Sequence, residues 1–252
     1  MTMDVHNSLL ESLNAFDAFC RQHDIRYSLY GGTLLGAVRE HGFIPWDDDA
    51  DVIMTRDNYT KLLSALSSTD ADYCIKGKVK KQFCKIEDDR FWVDIFICDY
   101  ISEIGVFQKI KLLLLTALDI MYRDSESMKL SNLSQYSKLK QILYRIIYTV
   151  GQLFPKKWVA HCYTNVSEKW LQGKKELMFR SNDQYAGRAL VFPAARMNEH
   201  IQVPFENLML PVSNRYHDFL VQSYGENYLI PVQEDRITQV HNLVRSDQKI
   251  EL

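Results

Sequence analysis

The 252-residue sequence has no pair of cysteines at C-x-x-C spacing, and its five cysteines, Cys20, Cys74, Cys84, Cys98 and Cys162, are an odd number scattered along the chain. This argues against a zinc site and a disulfide framework, so reduced core thiols are expected. No apolar run reaches the ~20 residues that cross a bilayer. The longest, Leu112 to Met121, is broken by Thr116 and Asp119. The stretch MTMDVHNSLLESL has an early aspartate and no continuous apolar segment, so no secretory signal is expected and the chain is read as cytoplasmic. Internal repeats and low-complexity segments are lacking as well. Net charge is nearly absent, at -2.

What is present is a globular balance, 46% hydrophobic and 25% charged. A chain of this size removes roughly 70 to 75% of its unfolded surface from water and needs no metal or disulfide to fold. Its charge is unevenly spread. From Ile104 to Arg180 there are 13 Lys/Arg against 5 Asp/Glu, leaving 17 against 27 elsewhere. Such a basic middle suits an anionic partner, by charge alone phospholipid, phosphosugar or nucleic acid, or simply marks a solvated lysine-rich helical face.

Leu9, Leu13, Phe16 and Cys20 recur at helical spacing, predicting an amphipathic helix over about 6–23. Ile25 to Tyr30 reads as a strand, stopped by Gly31-Gly32 before Thr33 opens a helix. After the irregular HGFIPW, Ala50 to Met54 alternates as a strand, and Thr55 can cap a helix with Tyr59, Leu62, Leu63 and Leu66 on one face. Further strands are expected near 73–75, 82–86 and 91–97, three basic helical segments between 104 and about 170, and a helix at about 216–224. The fold class is α+β with a mixed sheet, and the organisation is a single catalytic domain over 1–252, with core 1–103 and 181–252 and a basic helical insert 104–180.

The sharpest local feature is Asp47-Asp48-Asp49-Ala50-Asp51. Four carboxylates in five positions repel one another unless a cation sits among them. In a strand Asp49 and Asp51 project to one face, at a spacing that suits a hard divalent ion. A calcium loop of the EF-hand type fails, because counting from Asp47 the sixth position is Val52 and the twelfth Asn58. A solvated acidic turn is the plain alternative. Upstream, Gly31-Gly32-Thr33 at a strand-to-helix turn can hold a phosphate on backbone N–H groups. Asp94 lies in the apolar strand FWVDIFI, where an ionised carboxylate needs a cation or a proton. Beside the 50–54 strand it would complete a three-aspartate site. Lys76, Lys78, Lys80, Lys81 and Lys85 could face a diphosphate or line a solvated edge strand.

The stretch GGTLLGAVREHGFIPWDDDADV strongly resembles the signature of the LicD family, phosphotransferases that include bacterial phosphocholine transferases and, more distantly, fukutin-related ribitol-phosphate transferases. FWVDIFICD around Asp94, VPFENLMLPV at 203–212, YGENYLIP at 224–231 and the Arg236 to His241 ending resemble the same family. The likeness covers about 25–103 and 185–241. It implies a nucleotidyltransferase-like mixed sheet with flanking helices. It also implies Mg²⁺ or Mn²⁺ on Asp49, Asp51 and Asp94, with the same three residues catalytic. Gly31, Gly32, Thr33, Arg39, Asp47 and Asp48 then fall on substrate-binding positions, as do Arg236 and His241. The implied donor is CDP-linked, such as CDP-choline, and the acceptor a glycan or lipid-linked sugar, with CMP released and no nucleic-acid polymer involved. A nucleotidyltransferase releasing pyrophosphate, or a non-catalytic membrane-associated glycan-assembly protein, are the alternatives. The basic insert is expected to touch anionic lipid at the inner face of the membrane, on the strength of its charge and its LLLLTALDIM run.

Overall fold

The computed structural model describes residues 2–68, 72–77, 81–86, 92–125 and 136–231. The chain divides into two compact units, 1–98 with 180–252, and 99–179.

In the first unit α1 (Thr2–Gln22) buries Leu9, Leu13, Phe16 and Cys20, the stripe its periodicity predicts. Phe16 meets Tyr27 and Phe83 edge-on, with ring centroids 4.9 and 5.1 Å away. Asp17, on the same helix, accepts the Tyr27 hydroxyl at 2.8 Å and the Arg21 Nε at 2.6 Å, so a buried carboxylate is fully engaged. The expected strand from Ile25 contracts to β1 (Ser28–Leu29), because the Ile25 N–H closes the end of α1 on the Cys20 carbonyl instead. Then follow α2 (Gly31–Arg39), β2 (Asp51–Thr55), α3 (Arg56–Ser68), β3 (Tyr73–Lys76), β4 (Lys81–Lys85) and β5 (Trp92–Ile101). Thr55 Oγ1 accepts from the Asn58 N–H and caps α3 as expected. The buried face of α3 is Tyr59, Leu62 and Ala65, while Leu63 turns to solvent.

The sheet is mixed, in the order β1-β2-β5-β4-β3. β2 and β5 are parallel neighbours with Asp51 opposite Asp94, and β4 runs antiparallel to β5 with Gln82 opposite Asp94. β2 and the first half of β5 are buried on both faces, as central strands require. Where the register with β4 ends, at Lys81 opposite Ile95, Asn182 takes over: its Nδ2 donates to the Ile95 carbonyl and its Oδ1 accepts from the Ile97 N–H, each at 2.7 Å. A hairpin of β6 (His200–Phe205) and β7 (Leu208–Ser213) packs on β1, and the C-terminal helix of the described residues (Tyr216–Tyr224) packs on α2. The architecture is mixed α+β.

The second unit contains α4 (Gly105–Tyr122), α5 (Lys138–Gly151) and α6 (Lys156–Lys169), with α4 packed against both others. Two of its cations work inside it. Lys111 is fully buried and donates to the carbonyls of Tyr100 at 2.7 Å and Ser167 at 2.9 Å. Lys156 Nζ caps α4 through the Met121 and Arg123 carbonyls. The LLLLTALDIM run is split by its helix: Leu112, Leu115, Leu118 and Ile120 are buried in α4, while Leu113 is exposed.

Candidate active site

Three sections of chain build the site. The turn between β1 and α2 comes first. Gly31 has φ +57°, the left-handed region open to glycine. A Cβ there would stand 2.5 Å from Asp51 Oδ2, and one on Gly32 would stand 2.6 Å from Asp47 Oδ2. The two glycines thus make room for the protein's own carboxylates against the first turn of α2. Tyr30 supplies no side-chain cap, so that end of α2 keeps N–H donors and a positive dipole for anions. Thr33 has a structural partner in this geometry. Its buried Oγ1 accepts the Asp51 N–H at 2.8 Å and ties the start of β2 to α2.

The second section is the loop before β2. The loop is pinned from two directions: the His6 ring stacks on Phe43 and its Nε2 contacts the Asp47 carbonyl oxygen at 2.8 Å, while Glu206 Oε1 accepts the Phe43 N–H. Asp48 is exposed and Asp49 half-buried. The Oδ2 of Asp47 is buried with no hydrogen-bond partner among the described residues. Burial first, then the charges of Asp49 and Asp48, push the Asp47 carboxyl up to about 7.

The third section is β5, which the parallel register sets beside β2. The Asp94 N–H donates to the Ala50 carbonyl at 2.8 Å, and the side chain is 5% exposed. One oxygen each from Asp49, Asp51 and Asp94 lies within 4.8 Å of the others. Three carboxylates this close, with an elevated Asp47 alongside, form a negative pocket that fits a hard divalent cation and disfavours soft metals.

Arg39 is not drawn into this group. It occupies the last turn of α2, roughly 12 Å along the axis from Gly31 at 1.5 Å per residue, and its Nε pairs with Glu40 at 2.7 Å. Arg236 and His241 lie outside the described residues, as do Lys78 and Lys80. Two groups near the cluster escape sequence reasoning. Arg180 stacks over Tyr30 and Phe96 and pairs with Asp183 at 3.1 Å; its Nε is buried with no hydrogen-bond partner among the described residues. Burial works against its charge, yet Tyr30, Asp183, Cys98 and Asp51 together hold its pKa above the ordinary value. Burial pushes the Tyr224 phenol up, and Asp51, Tyr30 and Asp47 push it further. An arginine ending the otherwise apolar LMFR, and a tyrosine opening the YGENYLIP stretch, were the available signals.

A LicD family model, described as the nucleotidyltransferase domain of LicD, fukutin and fukutin-related proteins, matches residues 24–114. The lipopolysaccharide cholinephosphotransferase LicD of Haemophilus influenzae is 30% identical over 255 aligned positions, covering 90% of this chain and 91% of that protein. The chain belongs to the LicD family. A shorter stretch of 91 residues is 31% identical to an uncharacterized Rickettsia prowazekii protein, covering 36% of this chain and 33% of that one. The LicD model spans all three sections of the site, from the Gly31 turn through Asp94.

The elevated Asp47 has a consequence for stability. An unfolded Asp releases its proton near 3.8 and the folded Asp47 near 7, so between these values the folded state holds more protons and loses stability as pH rises. In chelator, the melting temperature of the wild type is therefore expected to decline from pH 4 to 7 more steeply than that of Asp47→Asn. Parallel profiles for the two proteins would contradict this charge balance.

Proposed function

We propose that this LicD-family phosphotransferase moves phosphocholine from a CDP-linked donor such as CDP-choline to a sugar hydroxyl of lipopolysaccharide or a lipid-linked glycan, in the cytoplasm, releasing CMP. The observation that carries this reading is the convergence of Asp49, Asp51 and Asp94 beside the uncapped Gly31–Gly32 end of α2. Similarity to the Haemophilus cholinephosphotransferase along nearly the whole chain supports it.

The acceptor hydroxyl attacks the phosphorus bearing choline, the bond from that phosphorus to the bridging oxygen breaks, and CMP leaves with the electron pair. The hydroxyl proton passes to a carboxylate of the cluster. Asp49, Asp51 and Asp94 would hold Mg²⁺ or Mn²⁺, which when bound offsets the diphosphate charge and steadies the departing CMP. The first turn of α2 binds the transferred phosphate through its N–H groups. Arg180, locked by Asp183 and two rings, supplies fixed positive charge on the Asp51 side.

The test is CMP release from CDP-choline, CDP-ethanolamine, CDP-glycerol and CDP-ribitol, each with lipopolysaccharide acceptor and Mg²⁺ or Mn²⁺, beside an Asp49→Ala control. CMP from CDP-choline, lost in the variant, is the expected result. Pyrophosphate from CTP would instead make the enzyme a nucleotidyltransferase, since the same carboxylates serve that reaction.

A further inference from the structure

The apolar side of α5 faces solvent. Leu139 is 77% exposed, Ile142 57% and Ile146 55%, with Leu143 and Val150 also exposed. At 100° per residue these five fall on one stripe of the helix. The opposite side is the one that packs inward: Tyr144 and Tyr148 are half-buried, and Gly151 lies so close to Met121 of α4 that a Cβ would overlap it. A soluble helix normally buries its apolar stripe, so this orientation leaves a substantial apolar surface unpartnered.

Charge selects the occupant. Lys138 and Arg145 flank the stripe on one side and Lys140 on the other, all three exposed, and α5 contains no carboxylate. An apolar stripe between two cationic margins is the pattern of a helix lying in the plane of a bilayer with anionic headgroups. No described helix is long and apolar enough to cross a membrane, consistent with lying on one. A half-exposed Trp158, stacked on Phe154 at 4.9 Å just beyond α5, adds amphipathic rings suited to the headgroup level. We propose that α5 is a membrane-docking helix that seats its Leu139–Val150 stripe in the surface of an anionic lipid bilayer. The inference goes beyond the phosphotransfer reading and does not depend on it.

The test is flotation of the full-length protein with vesicles of phosphatidylcholine alone and with 30% phosphatidylglycerol, at low and high salt. The expected result is flotation with the anionic vesicles only, weakened by salt. Ile142→Asp with Ile146→Asp should abolish it. Lys138→Glu with Lys140→Glu and Arg145→Glu should lower partition by about two orders of magnitude, at roughly five-fold or more per cation. Both variants change exposed residues, and unaltered circular dichroism and melting would show the fold intact. Equal flotation of wild type and variants, or none with any vesicle, overturns the proposal. Self-association in sedimentation, lost in Ile142→Asp with Ile146→Asp and without vesicle binding, would assign the stripe to a second copy instead.

Discussion

Replacing Asp51 by Asn is expected to lower phosphocholine transfer by on the order of 10³-fold or more, while the metal-free protein melts at the same temperature or higher. The two effects have one cause. Asp51 puts an oxygen within 4.8 Å of oxygens from Asp49 and Asp94, so without a cation it raises the energy of the folded state through like-charge repulsion. The isosteric amide removes that repulsion and keeps the N–H bond to Thr33 Oγ1. It also removes one anionic ligand. Saturating Mn²⁺, which at a hundred times its Kd would stabilise the wild type by about 2.7 kcal/mol, should barely move the melting temperature of the variant. A variant that retains wild-type turnover, or the full metal-induced melting shift, would refute the assignment of Asp51 as a metal ligand.

Much of this site was readable because its residues violate their surroundings. Asp94 stands out as a carboxylate in an apolar strand, and the aspartate run stands out as uncompensated charge; both anomalies call for a cation or a proton, and extended alternation leading into β2 pairs Asp49 with Asp51. Register is another matter. Nothing local states that β5 lies parallel to β2 with Asp51 opposite Asp94, since that pairing depends on α3 and the β3–β4 hairpin as the crossover. Arg180 and Tyr224 were illegible for the same reason, reaching the cluster from the far end of the chain. The structural bond of Thr33 was equally illegible, because a hydroxyl at a helix start suits phosphate and backbone alike, and its partner, the Asp51 N–H, is supplied by the tertiary fold. The LLLLTALDIM run is legible only in part: continuous apolar sequence suits a buried helix as well as a membrane face, and α4 packs Leu112, Leu115, Leu118 and Ile120 inward against its neighbours while Leu113 stays exposed.

Gly31→Ala should be nearly as damaging to transfer as the loss of Asp51, by a route that involves no change of charge. At φ +57° an alanine costs on the order of 1 kcal/mol in backbone energy. Its Cβ would also fall 2.5 Å from Asp51 Oδ2, so either the carboxylate or the turn must move. We expect a fall in melting temperature of roughly 3 to 6 °C, the amount that about 1 to 2 kcal/mol produces in a chain of this size. Transfer should fall by about 100-fold or more, because the displaced group is a proposed metal ligand and the displaced turn carries the phosphate-binding N–H groups. Gly32→Ala separates the two contributions. Its backbone is not in the left-handed region, and its Cβ meets Asp47 Oδ2 rather than Asp51, so transfer should suffer less and metal affinity little. Wild-type metal affinity in Gly31→Ala alongside lost transfer would place the damage at the phosphate turn alone. Wild-type turnover would show that neither the turn nor the Asp51 carboxylate needs the position this structure gives it.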